Sequence, residues 1–221
     1  MANAVEKVNG IAIASIEAIN GITDANLQAL NGLEFTGTLP DAHTLIATAT
    51  ASSSATLSFT SGIDSTYDAY EFRFQNLHAA TDNVNFTFQV NATDGADYND
   101  SAITSTFFAA YHNESDSGYG FVYEADFDQA QGTAYQVLAN YVGNDNDQSC
   151  NGVLTLYNPS STTYVKHFVS RLNNVTAGDY SRDNYAAGYI NDTTAIDNIS
   201  FKFSSGNIDA GEIKMYGVAK S

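Results

Sequence analysis

Of 221 residues, one is cysteine, two are proline, none is tryptophan and only eight are Lys or Arg. Cys150 alone closes no internal disulfide, and no Cys/His cluster with zinc spacing accompanies it. Against 25 Asp and Glu, the few cations leave a formal charge of −17. Such a chain lacks the Lys and Arg that displace counterions from phosphates, which excludes a nucleic-acid partner and argues against an anionic membrane surface. No apolar run approaches the ~20 residues that span a bilayer. The most apolar early segment, Ile11 to Ile16, runs into Glu17. With no basic stretch ahead of an unbroken apolar run, the expectation is a protein made in a cytoplasm and not exported by the secretory route.

Catalytic signatures are missing too. There is no Gly-x-Ser-x-Gly elbow, phosphate-cradling loop or His-Glu-x-x-His stretch. His43, His78, His112 and His167 are scattered, and each reads as a surface or satisfied residue. Carboxylate pairs for glycoside hydrolysis carry no signal where 25 acids are available. Cys150 has no basic neighbour to activate it and reads as structural. The expectation is no enzyme. Asn-x-Ser/Thr triplets at Asn85, Asn91, Asn113, Asn174, Asn191 and Asn198 follow from a composition rich in these residues.

What is present is enough apolar surface for a core: 43% hydrophobic residues, with 14 Tyr and 13 Phe. The length suits one domain with an appendage, or two small domains. Residues 1–40 hold an internal repeat. Val8-Asn9-Gly10-Ile11, Ile19-Asn20-Gly21-Ile22 and Leu30-Asn31-Gly32-Leu33 recur every 11 residues. Asn-Gly is a strong turn signal because both residues tolerate positive φ, whereas Gly in a helix interior costs about 1 kcal/mol. The repeat therefore reads as turns joined by short extended or helical pieces. Three such units cannot bury their aliphatic side chains alone, so this segment is expected to be a docking or oligomerisation arm.

After the linker Thr36-Gly-Thr-Leu-Pro40-Asp41, period-two alternation dominates. Tyr70, Phe72 and Phe74 alternate with polar residues, as do Phe86, Phe88 and Val90, and Ile199, Phe201 and Phe203. Further strands are expected at 44–50, 55–60, 104–111, 120–124, 135–141, 153–157, 164–171 and 212–218. Residues 41–221 thus read as an all-β, antiparallel β-sandwich, with a jelly roll the favoured topology.

Two acidic loops draw attention. Calcium takes about six to eight oxygen ligands, so Asp94, Asp97, Asn99 and Asp100 are a candidate calcium set, and Asn144-Asp145-Asn146-Asp147 a smaller one. The competing reading is that these residues make turns and cap strand ends. No other cofactor is expected. An acidic, Lys-poor surface also suits a particle in salty water, where screening relieves self-repulsion. Tyrosines beside Gly-, Asn- and Asp-rich segments, among them Tyr111, Tyr119, Tyr185 and Tyr189, are candidates for glycan or partner contact, or for filling the core and its rim.

Four stretches carry a resemblance. They are Ser61-Gly-Ile-Asp-Ser-Thr-Tyr-Asp-Ala-Tyr-Glu-Phe-Arg-Phe-Gln-Asn-Leu-His78, Thr93-Asp-Gly, Gly152-Val-Leu-Thr-Leu-Tyr-Asn-Pro159 and Phe203-Ser-Ser-Gly-Asn-Ile-Asp-Ala-Gly-Glu-Ile-Lys-Met-Tyr-Gly-Val218. Together they resemble a β-sandwich domain of tailed-bacteriophage virion proteins, and the Asn-Gly repeats resemble leaders of phage fibre, spike and head-surface proteins. The resemblance implies a structural, non-enzymatic component of the virion surface, with no catalytic residues to assign. Being shorter than a host-binding tail fibre, the chain would be a short fibre, knob or capsid-decoration protein. Its implied partners are itself, as a homotrimer, and the major capsid or a tail protein. The alternative is a lectin-like adhesion module that binds glycans.

Overall fold

The dipeptides flanking each Asn-Gly are paired with one another as short antiparallel strands. In the computed structural model the described residues are six dipeptides before residue 42, together with 43–93, 97–98, 100 and 101–218. β1 (Lys7–Val8) pairs antiparallel with β2 (Ile11–Ala12), with Val8 opposite Ile11. β3 (Ala18–Ile19) and β4 (Ile22–Thr23) repeat the pairing with Ile19 opposite Ile22, and β5 (Ala29–Leu30) and β6 (Leu33–Glu34) with Leu30 opposite Leu33. Asn9, Gly10, Asn20, Gly21, Asn31 and Gly32 lie outside the described residues. The register nevertheless leaves two residues for each connection, the length that favours Asn-Gly. The chain divides into two compact units, Met1–Thr44 and Leu45–Ser221.

The remaining strands are β7 (His43–Thr50), β8 (Leu57–Phe59), β9 (Ala69–Ala79), β10 (Val84–Ala92), β11 (Ile103–Asn113), β12 (Tyr119–Tyr123), β13 (Ala130–Gly132), β14 (Gln136–Val142), β15 (Cys150–Tyr157), β16 (Lys166–Val175), β17 (Tyr180–Ile190), β18 (Ile196–Phe203) and β19 (Ile208–Val218). Among the described residues the only helical piece is a 3-10 turn at Ala125–Phe127. Two antiparallel sheets pack face to face, as alternation implied. The smaller has the order β14-β10-β18-β8, and the larger runs β12-β11-β17-β16-β15-β9-β19-β7, with β13 also paired to β11. The chain crosses between the sheets in jelly-roll order: β8, β18, β10 and β14 on one side, β9, β17, β11 and β12 on the other. β15 and β16 are inserted between β9 and β17.

The core is aromatic. Phe201 of β18 is fully buried, and its ring centroid lies 5.2 Å from Phe74, 5.5 Å from Phe72, 6.0 Å from Phe86, 6.4 Å from Phe88 and 6.5 Å from Phe59. Phe72 and Phe74 come from the large sheet, so this cluster joins the two layers. Phe88 adds a second junction, 5.0 Å from Phe168 of β16. Cys150 opens β15 wholly buried, and burial pushes its thiol pKa up, away from reactivity.

β17 falls outside the strands expected from sequence. Its inward positions include Arg182, Asn184 and Gly188 beside Ala186 and Ile190, so the apolar half of the alternation is interrupted. Gly188 is required there, because a Cβ would lie 2.3 Å from the Thr104 carbonyl oxygen of β11. The expected 55–60 strand contracts to Leu57–Phe59, and His78 and His112 lie within β9 and β11.

Phe201→Ala should cost about 3–5 kcal/mol of unfolding free energy, the usual price of deleting a buried aromatic ring. Urea titration of both proteins measures it. A loss below about 1 kcal/mol would mean that this ring does not join the sheets.

Candidate functional site

Polar side chains collect in two places on the large sheet, one inside the sandwich and one on its outer face. Inside, the inward row turns from apolar to polar towards one end: Leu172 pairs with Asn184, and Asn174 with Arg182. Arg182 is 6% exposed, and its Nε donates to Asn140 Oδ1 at 2.5 Å. Its Nη2 lies 2.6 Å from Glu124 Oε2, as an ion contact rather than a directed hydrogen bond. Asn140 also donates to Glu124. Asn184 donates to Asn174 Oδ1 at 2.7 Å, and Asn174 donates to the Asn140 carbonyl at 3.2 Å. Burying a charge is costly, and the ion contact together with the Asn140 hydrogen bonds offsets part of that cost, while Arg182 Nη2 and Asn184 Oδ1 make no hydrogen bond.

The backbone bends to supply it. β14 breaks register against β10 between Ala139 and Val142, and Tyr141 sits at φ 56, a left-handed conformation uncommon for a bulky residue. The bulge lets Asn140 point inward while Tyr141 stays partly exposed. The Arg182 guanidinium carbon lies 5.1 Å from the Tyr141 ring centroid and 5.6 Å from that of Tyr111. A cavity of about 280 Å³ adjoins it, lined by Asn83, Tyr111, Tyr141, Thr176, Tyr180 and Arg182 among others.

On the outer face, strand register aligns residues in rows. One row runs Tyr123, Phe108, Tyr185, Arg171, Val153 and Arg73 across β12, β11, β17, β16, β15 and β9. The next runs Phe121, Ala110, Asp183, Asn173 and Asn151. Phe108 stacks on Tyr185 at 4.8 Å and 9°, and Phe121 tilts against Phe108 at 5.3 Å. Arg171 grips Asp183 with Nε at 3.1 Å from Oδ1 and Nη2 at 2.8 Å from Oδ2, while its guanidinium carbon lies 5.3 Å from the Tyr185 ring centroid. The Tyr185 hydroxyl donates to Asp183 Oδ2 at 2.9 Å. Burial works to raise the Asp183 pKa, but the hydrogen bonds from Arg171 and Tyr185 outweigh it and hold the carboxyl below its ordinary value. Asp183 in turn pushes the Tyr185 phenol up. Beside this triad lies a cavity of about 410 Å³ lined by Asn151, Gly152, Arg171, Asn173 and Asp183.

The four tyrosines singled out from sequence therefore separate. Tyr119, Tyr185 and Tyr189 belong to the outer face, with Tyr119 stacked on His112 at 5.7 Å and Tyr189 6.1 Å from His167. Tyr111 instead lines the Arg182 cavity. Phe108 and Phe121, which join Tyr185, escaped the sequence reading because alternating Phe signals core. Of the candidate calcium set, Asp97 and Asp100 are exposed, and Asp94 and Asn99 lie outside the described residues. Among the described residues no group of three or more His, Cys, Asp or Glu is placed to hold a metal. The second acidic loop closes as a turn, with Gln148 N donating to the Asp145 carbonyl at 2.8 Å and Asp145 N to Gln148 Oε1 at 3.1 Å. No described helix is long and apolar enough to cross a membrane.

Replacing Arg182 by Met alone should cost up to about 3–5 kcal/mol, because Glu124, 16% exposed, is left without its cation; replacing Glu124 by Gln as well should recover part of that loss. Additive losses in urea unfolding would show that the two do not form a pair. For Asp183, the folded pKa is depressed, so its stabilisation is present above the unfolded value of about 3.9 and is lost as pH falls through the lower folded value. Wild type should exceed Asp183→Asn in stability at pH 6, and the two should converge in strong acid; a difference independent of pH would remove the ionised carboxylate from the account. No known protein family, curated protein or solved structure matches this chain.

Proposed function

We propose that this chain is a non-enzymatic structural protein of a bacteriophage virion surface, a short fibre, knob or capsid-decoration protein. Residues 1–40 anchor it to the particle, and the sandwich projects outward. The observation that carries this reading is the arm. Three hairpins of the same register recur at an 11-residue spacing within a unit separate from the sandwich. Each hairpin has two residues per strand, and an isolated two-stranded hairpin is marginally stable at best. Aliphatic side chains on such a scaffold gain stability only against another surface, and three-fold association of copies supplies one repeatedly. The resemblance of the repeats and of the 203–218 ending to phage surface proteins supports the same reading. Formal charge of −17 favours a body that stays dispersed and stands away from its neighbours.

Full-length protein and a version comprising residues 41–221 test this together. Both should give β-rich circular dichroism and cooperative unfolding, while sedimentation should show association, as trimers, only for the full chain. Unfolding of the shortened protein would make the arm part of the body's core, and equal association of both would take assembly away from the arm.

A further inference from the structure

The outer face of the large sheet exposes aromatic rings that a body with an aromatic core does not need there. Tyr119 and Phe121 are each 70% exposed and Tyr123 is 55% exposed, all on β12, the edge strand. These rings continue inward across the sheet as the Phe121, Phe108 and Tyr185 stack, and end against the Arg171–Asp183 pair. In its row, Ala110 lies between Phe121 and Asp183. The exposed Phe121 ring, with a carboxylate, a guanidinium and the Asn173 amide, thus shares one face of the sheet in adjacent rows. The polar groups are already oriented. Asp183 is fixed by three hydrogen-bond donors, and Asn173 by its donation to Ser181 Oγ and the Arg182 carbonyl, each at 3.1 Å.

A pyranose ring needs this combination: an apolar C–H face that packs on an aromatic plane, and a rim of hydroxyls that both donate and accept. Charge narrows the class. Arg171 is paired with Asp183, Arg73 with Glu71 and Lys214 with Glu212, so each of these cations is already balanced within a strongly acidic chain, and a uronate would meet net repulsion. A second copy is the main competitor, since β12 leaves an edge open to pairing. Antiparallel edge pairing, however, would set Glu114 and Asp116 of one copy near Glu124, Asp126 and Asp128 of the other, like charges facing like. We propose that the Phe108, Phe121 and Tyr185 rings with the adjoining Arg171, Asp183 and Asn173 form a binding site for neutral glycan chains. The site stands on the sandwich alone and does not depend on where the arm docks.

The test uses the full chain. Neutral oligosaccharides of glucose, galactose and mannose, and uronate oligomers of the same length, are titrated by calorimetry and printed on an array. At least one neutral series should bind, and the uronates should bind at least tenfold more weakly. Phe121→Ala, at a largely exposed position, and Asn173→Ala should each weaken binding at least tenfold with unchanged unfolding midpoints. Tyr164→Ala, 70% exposed but on the loop before β16, should leave binding unaltered. No binding by any neutral series, or binding that survives both Phe121→Ala and Asn173→Ala, would overturn the proposal. A change in oligomeric state on Phe121→Ala without any glycan binding would reassign the face to contact between copies.

Discussion

Contact among Phe201, Phe72, Phe74 and Phe86 holds the two sheets together, and the rest of the body is arranged around it. These rings are fully or almost fully buried, and their edge-to-face and tilted packing ties β18 and β10 of the small sheet to β9 of the large one. Once that seam is set, strand alternation decides which side chains face inward. Four strands cannot blanket nine, so the sandwich core is apolar at the seam and turns polar towards β11, β14, β16 and β17 at one end.

That polar end explains several local departures from regular structure. Arg182 and Glu124 are poor candidates for an interior, and Asn140 bonds both of them while Asn174 and Asn184 extend the chain of hydrogen bonds across three strands. The bulge in β14 that brings Asn140 inward leaves Tyr141 in a conformation costing on the order of 1–3 kcal/mol, a strain that persists only where surrounding contacts over-determine it. Buried Gln89 and Gln136 follow the same rule elsewhere. Gln89 Nε2 donates to the Ser101 and Thr133 carbonyls at 3.1 and 3.0 Å, and Gln136 Oε1 accepts from Ser105 Oγ at 2.6 Å.

Sandwich architecture was legible in the sequence wherever inward positions were apolar, as in β9, β10 and β18. It was illegible in β17, where Arg182, Asn184 and Gly188 stand at inward positions and only the register against β11 and β16 reveals the strand. In the arm, the sequence left extended and helical pieces open between its expected turns, and the dipeptides flanking each Asn-Gly are extended and paired. Outer-face chemistry was only half legible. Phe107 and Phe108 are adjacent, and period two alone does not say which points inward; Phe107 is buried and Phe108 stacks on Tyr185 outside. Tyr111, grouped by composition with Tyr119, Tyr185 and Tyr189, shares the inward side with Phe107 and Ala109 instead. Composition identifies a residue type suited to recognition, but the parity of a strand decides which face it serves.

In the proposed function, the arm docks on another surface and the sandwich projects from it. The measurement that tests this most directly is immunogold electron microscopy of a source lysate containing phage particles, with antibody raised against residues 41–221. It predicts gold on particles: over heads for a decoration or head-fibre protein, on tails for a fibre or spike component. Gold on no particle, with the protein remaining free in the lysate, would contradict it.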